Sequence, residues 1–419
     1  MNIQQIIIAL KKNKKVIENY FFLTAIQMLN SFFYLLIYPY LIRVLGAHNY
    51  GQFVFAMSIV TYFIFLVNFG FDLIATKFVA ENYSDKLKLE NILSIIFTAK
   101  NYLFFISVLA FSFIVSTIPT LENNKEIFFI CFLSIYSYVL FPQWFFQGLQ
   151  NMKIITFIQL GVKLLSLPMI FLLVNNKSDL SIYSWIYTGS GLISGLISIY
   201  ILRFNYNLKI RWVALSKLKI WFVNSLPLFY SSLASIIKEN SIPIIIGSFF
   251  GMREVAIYDL ANKIISVPRA LLSSVNTAIF PKLVAKINYH FIKKIIVVEA
   301  LISIIVILFV ILFGKFIVEM MGGNEMLQSY YLAIFLSFTI LSWLVVGAYL
   351  NFVFIPQGKS YLVTYNQLFA LVSFFLVCGI GLMVNKNLMI IGAAVACSGL
   401  IELIYCHYMT MRLKLFKSN

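Results

Sequence analysis

Long apolar segments recur along the whole chain, and this feature constrains the fold more than any other. Most are about 20 residues or longer, which is the length of helix that crosses the hydrocarbon core of a bilayer. The connections between them are short and polar. Only 11% of the residues are charged and 61% are hydrophobic, whereas soluble domains carry about 25% charged residues. The sequence therefore predicts an all-α polytopic membrane protein and disfavours a soluble enzyme.

The apolar segments predict twelve transmembrane helices. We place them at residues 20–42, 52–76, 92–118, 126–148, 154–174, 181–203, 220–249, 255–281, 295–317, 330–355, 361–384 and 388–411. We expect no cleavable signal peptide, because the first apolar segment is longer than the core of such a signal and lacks a small-residue cleavage site.

The excess of positive charge has two explanations, and the distribution of the charges favours one. The chain carries 32 Lys and Arg against 15 Asp and Glu. No basic stretch lies in a soluble fold, so nucleic acid is not expected as a partner. With the N-terminus in the cytoplasm, most Lys and Arg fall in cytoplasmic segments, as the positive-inside rule requires. The few that fall outside are Arg43, Lys125, Lys177, Arg253, Lys315 and Lys386. Both termini are therefore predicted to be cytoplasmic.

A sequence motif occurs in both halves of the chain. Residues Leu45–Phe53 and Phe250–Tyr258 share a glycine in second place, a small residue and a final aromatic residue. A weaker echo links Phe146–Gly148 to Pro356–Gly358. With six helices in each half, both halves enter the membrane in the same direction, which is the parallel type of repeat found in some transporters. We predict two six-helix lobes, residues 1–208 and 209–419, related by a parallel pseudo-two-fold repeat.

Motifs for catalysis and for metal binding are absent from the sequence. It has no phosphate-binding loop, H-E-x-x-H or G-x-S-x-G. The four cysteines form no C-x-x-C pair and the three histidines are scattered. No cofactor is predicted. Every predicted outside loop is short, which argues against a membrane polymerase or ligase with a large external domain.

Ionisable residues inside the predicted helices mark candidate sites, because each costs about 2.5–3.5 kcal/mol at the centre of a bilayer on insertion scales. Several cations would suit an anionic solute such as a phosphate or diphosphate. The predicted substrate-binding residues of a central cavity are Lys100, Lys163, Lys238, Lys263 and Arg269. The predicted ion-coupling residues are the acids Glu239, Asp259 and Asp72.

Two helices carry prolines beside these charges. Asp259 and Lys263 are four residues apart, so they share a helix face and can pair. Pro268 is expected to interrupt that helix and turn Arg269 toward Lys263. The seventh predicted helix carries Pro227 and Pro243, and we expect it to be broken near the membrane midplane, where transporter sites tend to lie. Two interpretations are open for Asp259 and Lys263: a structural ion pair, or a helix face that lines a water-filled cavity.

Three sequence motifs in the first half resemble one protein family. They are Pro39–Gly46 followed by Tyr50–Phe53, Gly70–Lys77, and Pro142–Gly148 followed by Met152 and Lys153. Together they resemble the polysaccharide transporter family, specifically Wzx-type O-antigen flippases of the multidrug/oligosaccharidyl-lipid/polysaccharide exporter superfamily. That family more often has Asn where this chain has Asp72, and Arg where it has Lys77.

The resemblance implies a function. The protein would move an undecaprenyl-diphosphate-linked oligosaccharide repeat unit from the cytoplasmic to the periplasmic leaflet of a bacterial inner membrane, by alternating access. Its partners would be that lipid-linked oligosaccharide, the membrane, and other polysaccharide-assembly proteins. Coupling to a proton or a sodium ion is left open. The alternatives are a drug/cation antiporter of the same superfamily and a membrane polysaccharide polymerase or ligase.

Overall fold

The computed structural model describes residues 14–122, 124–285 and 289–416, and within these ranges the chain forms helices and no strand. We number the α-helices in chain order. They are α1 Lys14–Asn68, α2 Phe71–Glu81, α3 Lys86–Thr117, α4 Pro119–Glu122, α5 Lys125–Leu133, α6 Ile135–Leu140, α7 Gln143–Gly148, α8 Met152–Leu173, α9 Leu180–Phe204, α10 Leu215–Phe249, α11 Met252–Ala285, α12 Tyr289–Gly322, α13 Gln328–Tyr349, α14 Ser360–Val384 and α15 Leu388–Arg412. Short 3₁₀ turns, Lys177–Asp179 and Asn324–Met326, precede α9 and α13, and a π-helical segment, Leu350–Phe354, follows α13.

Within the described ranges, ten helical stretches are long and apolar enough to cross a membrane. One of them, Phe21–Asn68, has 48 residues and covers the first two predicted helices. Helix α11 occupies the position of the eighth predicted helix and is not among the ten. The chain is thus a multi-pass, all-helical membrane protein, while the number twelve and the two-lobe repeat stay predictions.

The shared glycine of the two repeated motifs has the same role in both. Gly46 interrupts α1 with a φ of 79°, and Gly251 joins α10 to α11 with a φ of 120°. Residues with a side chain rarely adopt positive φ, whereas glycine does so at little cost. Each motif therefore marks a sharp turn between two helical segments.

The two motifs also pack against each other. A Cβ atom on Gly51 would lie 1.6 Å from the backbone oxygen of Met252 and 3.2 Å from the backbone nitrogen of Ala256. Backbone at such a distance cannot move aside as a flexible side chain can. Glycine at this position lets the helices approach closely.

The predicted helix breaks at proline are wrong. Helix α10 runs without a gap from Leu215 to Phe249, past Pro227 and Pro243, and α11 runs through Pro268. A proline removes one hydrogen bond from a helix, and membrane helices tolerate this because neighbouring groups satisfy the freed carbonyl. Arg269 is therefore not turned toward Lys263 by a break in the helix.

The chain divides into two compact units, whose boundaries fall inside α1 and α10. Unit 1 comprises Met1–Phe33 and Ala56–Ser232, and unit 2 comprises Tyr34–Phe55 and Leu233–Asn419. Unit 1 has an aromatic core in which Phe111 stacks on Phe132 at 4.2 Å between ring centroids. In unit 2, α13 is the central helix and packs against α11, α12 and α15. The lobe boundary between residues 208 and 209 stays a prediction.

An extended segment, residues 207–214, follows α9 and lies along α3 within unit 1. Its backbone N–H groups at Lys209, Arg211 and Val213 donate to the side chains of Glu90, Ser94 and Thr98, respectively, at 3.0–3.3 Å. Backbone groups need partners wherever water is excluded. Polar residues spaced four apart on α3 thus provide acceptors for a segment that forms no helix.

Candidate substrate cavity and charged clusters

Unit 1 contains a partly open cavity of about 500 Å³ that is lined by polar residues. That volume lies within the range of ligand pockets, roughly 300–1,000 Å³. Its walls come from helices that are otherwise apolar, and most of the lining residues have amide, hydroxyl or charged side chains. The lining residues are Asn30, Asn68, Asp72, Lys100, Ser134, Ser137, Tyr138, Phe141, Gln143, Gln159, Val162, Lys163, Tyr187, Ser190, Gly191 and Ser194.

Lys100 is held at one wall of this cavity by three acceptors. Its Nζ donates to Asp72 Oδ1 at 2.7 Å, to Asn68 Oδ1 at 2.9 Å and to the backbone oxygen of Tyr138 at 3.4 Å. An ammonium group has three N–H donors, so all of them are used. The Lys100 side chain is 3% exposed, whereas that of Asp72 is 47% exposed. The carboxylate of Asp72, rather than the ammonium of Lys100, is therefore the group that a ligand can reach.

Lys163 is held differently from Lys100. Its Nζ donates to Asn30 Oδ1 and lies 4.8 Å from the centroid of the Phe33 ring. No ion pair in residues 14–122, 124–285 and 289–416 includes Lys163. One acceptor occupies one of three N–H donors. The ammonium of Lys163 thus keeps its positive charge unneutralised and has donors left for a ligand.

Sequence reasoning missed the neutral part of the lining. Gln159 and Lys163 are four residues apart on α8, as are Ser190 and Ser194 on α9, so each pair lies on one helix face. Amides and hydroxyls inside apolar helices were a usable signal, because each needs a polar partner there. Asn30 was the clearest case, since it stands in a long apolar segment.

Unit 2 contains a buried ion pair between α10 and α15. Lys238 Nζ lies 2.6 Å from Glu402 Oε1, and the two side chains are only 14% and 12% exposed. Burial of this kind is tolerated when opposite charges pair closely. Lys238 was predicted to bind substrate, yet its charge is neutralised by an acid distant in sequence.

Arg269, also in unit 2, contacts α13. Its guanidinium donates to Thr339 Oγ1 and lies 5.9 Å from the centroid of the Trp343 ring. Glu239 and Glu402 are near enough to interact with its charge electrostatically. This arrangement combines a hydrogen bond, a cation–π contact and nearby carboxylates.

Asp259 binds two tyrosines of α1. Its Oδ2 accepts hydrogen bonds from Tyr50 at 3.0 Å and from Tyr34 at 3.2 Å. Lys263 lies over the ring of Tyr34, with 4.9 Å between Nζ and the centroid. The ion-pair interpretation of Asp259 and Lys263 is wrong for the described ranges, since no ion pair joins them. Both residues contact Tyr34 instead. Asp259 accepts a hydrogen bond from its hydroxyl group, and Lys263 lies over its ring.

The eight predicted site residues thus form separate groups. Asp72, Lys100 and Lys163 line the cavity of unit 1. Lys238 pairs with Glu402, Arg269 lies near Glu239, and Asp259 and Lys263 meet at Tyr34. No group of three or more potential metal ligands occurs in the part of the chain that the structure describes.

A polar cavity among apolar, membrane-crossing helices is typical of multi-pass membrane transporters. Comparison with known proteins gives the family. Residues 16–286, well over half of the chain, match the family described as "Polysaccharide biosynthesis protein", and the chain belongs to this family.

It is 27% identical over 282 residues to a "Putative O-antigen transporter" of Escherichia coli (strain K12), covering 67% of this chain and 68% of that protein. A "Putative O-antigen transporter" of Shigella dysenteriae is 23% identical over 364 residues, covering 82% and 87%. These relatives are named as transporters and not as enzymes.

Solved structures share the fold. An inward-facing multidrug resistance MATE family transporter of the MOP superfamily superposes with a TM-score of 0.73 at 12% identity, covering 92% of this chain and 95% of that one. The lipid II flippase MurJ, in an inward closed conformation, gives a TM-score of 0.70 at 14% identity, covering 94% and 89%. The chain therefore has the fold of MOP superfamily transporters.

Proposed function

We propose that this protein is a flippase that moves an undecaprenyl-diphosphate-linked oligosaccharide repeat unit, of O-antigen or a related polysaccharide, from the cytoplasmic to the periplasmic leaflet of a bacterial inner membrane. The polyprenyl tail stays in lipid while the polar head crosses. Two lobes alternate access to the head group on the two sides of the membrane.

One observation carries the proposal. A cavity of about 500 Å³ with a polar, charged lining lies inside a unit of apolar helices. An oligosaccharide presents many hydroxyl groups, and each loses hydrogen bonds to water when it enters a bilayer. The amides, hydroxyls and charges of the cavity replace those bonds. Membership of the polysaccharide biosynthesis family and the names of the two relatives support the same substrate class.

For ion coupling we propose the acids of unit 2 as the binding groups. Four acids of unit 2, Glu239, Asp259, Glu299 and Glu402, lie within the predicted membrane-spanning parts of its helices. A carboxylate inside a membrane-spanning helix is a group that can bind a proton or a sodium ion. Asp259 is the preferred residue, because its carboxylate is bound by neutral tyrosines and not by a cation. Asp72 is less suited, since Lys100 neutralises it.

The experiment is a flipping assay in proteoliposomes. Purified protein is reconstituted with a labelled undecaprenyl-diphosphate oligosaccharide, and exposure of the label to an impermeant probe is followed over time. Exposure faster than in protein-free liposomes is expected. No acceleration with several different oligosaccharides, with and without a proton or sodium gradient, would contradict the proposal. Transport of a cationic dye by the same proteoliposomes would then favour the alternative, a drug/cation antiporter.

A matched pair of variants links the assay to the cavity. Ser190 lines the cavity, and Ser190→Trp would fill it. Ile193 lies on the same helix, is 50% exposed and does not line the cavity, so Ile193→Trp adds a side chain of the same size outside the cavity. We expect Ser190→Trp to abolish flipping and Ile193→Trp to retain it. Equal flipping rates for the two variants would show that the substrate does not pass through this cavity.

A further inference from the structure

We propose that the cavity of unit 1 is a glycan subsite for an acidic sugar with a single carboxylate, in which Lys163 binds the carboxylate and Asp72 accepts hydrogen bonds from sugar hydroxyls. This inference rests on the proposed function. It names which part of the lipid-linked oligosaccharide the cavity holds.

The charge of the lining is the first argument. Two lysines, Lys100 and Lys163, stand against one aspartate, Asp72, so the lining carries one net positive charge. A sugar carboxylate carries one negative charge, and a diphosphate diester carries two. Charged groups taken out of water need close compensation. The cavity therefore matches one carboxylate and leaves a diphosphate with an uncompensated charge.

The free donors and acceptors give the second argument. Lys100 has no N–H left for a ligand, because three acceptors surround its ammonium. Lys163 has one acceptor, Asn30, and faces the same cavity with its remaining donors. The anion is therefore expected at Lys163 and not at Lys100. Lys100 acts as a positioning residue that fixes the Asp72 carboxylate at the cavity wall.

The neutral lining gives the third argument. Gln143, Gln159, Ser190 and Ser194 offer both donors and acceptors around the cavity. Hydroxyl groups of a sugar are also both donors and acceptors, whereas phosphate oxygens only accept. A half-exposed carboxylate such as Asp72 accepts hydrogen bonds from sugar hydroxyls. The lining is thus complementary to a sugar ring with one acidic substituent.

The test compares two labelled undecaprenyl-diphosphate oligosaccharides in the flipping assay. They are identical except that one carries a hexuronic acid where the other carries the neutral hexose. Each is assayed with the unsubstituted protein and with Lys163→Met, Lys163→Arg and Lys153→Met. Lys153 is an exposed cation at the start of the same helix, so its substitution removes the same charge away from the cavity.

The expected result is a selective loss. Lys163→Met should slow flipping of the acidic oligosaccharide about tenfold, which is the effect of losing one charge-assisted hydrogen bond. Flipping of the neutral oligosaccharide should be slowed far less, because that substrate has no carboxylate for Lys163 to bind. Lys163→Arg should restore flipping of the acidic substrate, and Lys153→Met should change neither rate.

Other outcomes would overturn the inference. If Lys163→Met slows both oligosaccharides equally, the lysine serves the diphosphate, which both share. If it slows neither, the lysine is not part of the subsite. The inference also fails if the unsubstituted protein flips only the neutral oligosaccharide.

A binding measurement separates this inference from the proposed function. Methyl β-glucuronide and methyl β-glucoside are compared by saturation-transfer NMR on protein in nanodiscs, without any transport. Stronger transfer to the glucuronide, lost in Lys163→Met and kept in Lys153→Met, is expected. If the protein shows this preference for the glucuronide but flips neither lipid, the subsite is supported and the flippase is rejected. If it flips both lipids but shows equal transfer to both sugars, the flippase is supported and the subsite is rejected.

Discussion

The two units treat charged residues inside apolar helices in different ways. In unit 1 no acid among the described residues pairs with Lys163, which faces a cavity whose lining is positive as a whole. In unit 2 Lys238 is paired with Glu402, and both side chains are mostly buried. A charge that costs free energy in a membrane is retained for packing or for a ligand. Whether a charged residue serves packing or a ligand is therefore indicated by its partner, and not by the mere presence of the charge.

The largest effect is expected at the buried pair of unit 2. Lys238→Met or Glu402→Gln alone should lower the free energy of unfolding by about 3–5 kcal/mol, because each leaves an unpaired charge in a buried site. The double variant Lys238→Met/Glu402→Leu should recover most of this loss. Unfolding by SDS titration of the protein in mixed micelles gives these free energies.

An exposed pair provides the control for that measurement. Lys315 and Glu319 are four residues apart on α12, with 3.8 Å between the charged atoms and side chains 62% and 40% exposed. Lys315→Met should cost no more than about 0.5 kcal/mol. If Lys238→Met costs as little, the pair in unit 2 is not the structural contact that its geometry indicates, and the contrast between the units is lost.

A smaller and asymmetric effect is expected at the pair of unit 1. Asp72→Ala removes one of the acceptors of a lysine that is almost fully buried, and should cost about 1–3 kcal/mol. Lys100→Met leaves Asp72, whose carboxylate is half-exposed and remains solvated by the cavity. It should therefore cost less than Asp72→Ala. The reverse order in the same SDS titrations would mean that the carboxylate does not face open space.

The tyrosine contacts of Asp259 should contribute less again. Tyr50→Phe and Tyr34→Phe each remove a hydroxyl that donates to the carboxylate, and each should cost about 1 kcal/mol. If Asp259 couples transport to an ion, Asp259→Asn should leave a flipping rate that no longer depends on a proton or sodium gradient. A rate in Asp259→Asn that still follows the gradient would exclude this residue and direct attention to Glu239.

Much of the fold could be predicted from the sequence, because apolar length alone identifies most of the membrane-crossing helices. The turns at Gly46 and Gly251 were also visible as a repeated motif. The prediction failed where the outcome depends on neighbours in space. Pro268 lies inside a continuous helix, and Asp259 binds tyrosines from α1 instead of the lysine one turn away. Helical spacing shows which residues share a face but not which other helix that face meets.

The candidate site was predicted in part for the same reason. The five cations were expected in one central cavity, and the structure brings only Lys100 and Lys163 to the cavity of unit 1. Their partners, Asn68, Asp72 and Asn30, lie on other helices, so sequence spacing could not separate a saturated lysine from an available one. The neutral lining was missed because reasoning from charge overlooks amides and hydroxyls.

The smallest change in stability is expected at Lys163, and it is the most informative. Lys163→Met removes no ion pair and gives up one hydrogen bond to Asn30 and a contact with Phe33. The apolar stem of methionine fills similar space, so the free energy of unfolding should change by no more than about 0.5 kcal/mol. Lys238→Met makes the same substitution at a paired lysine and should cost several times more. A cation whose removal is nearly neutral for folding, yet selectively slows transport of an acidic substrate, is retained for the ligand. A loss of stability at Lys163 equal to that at Lys238 would instead place both lysines among the packing contacts.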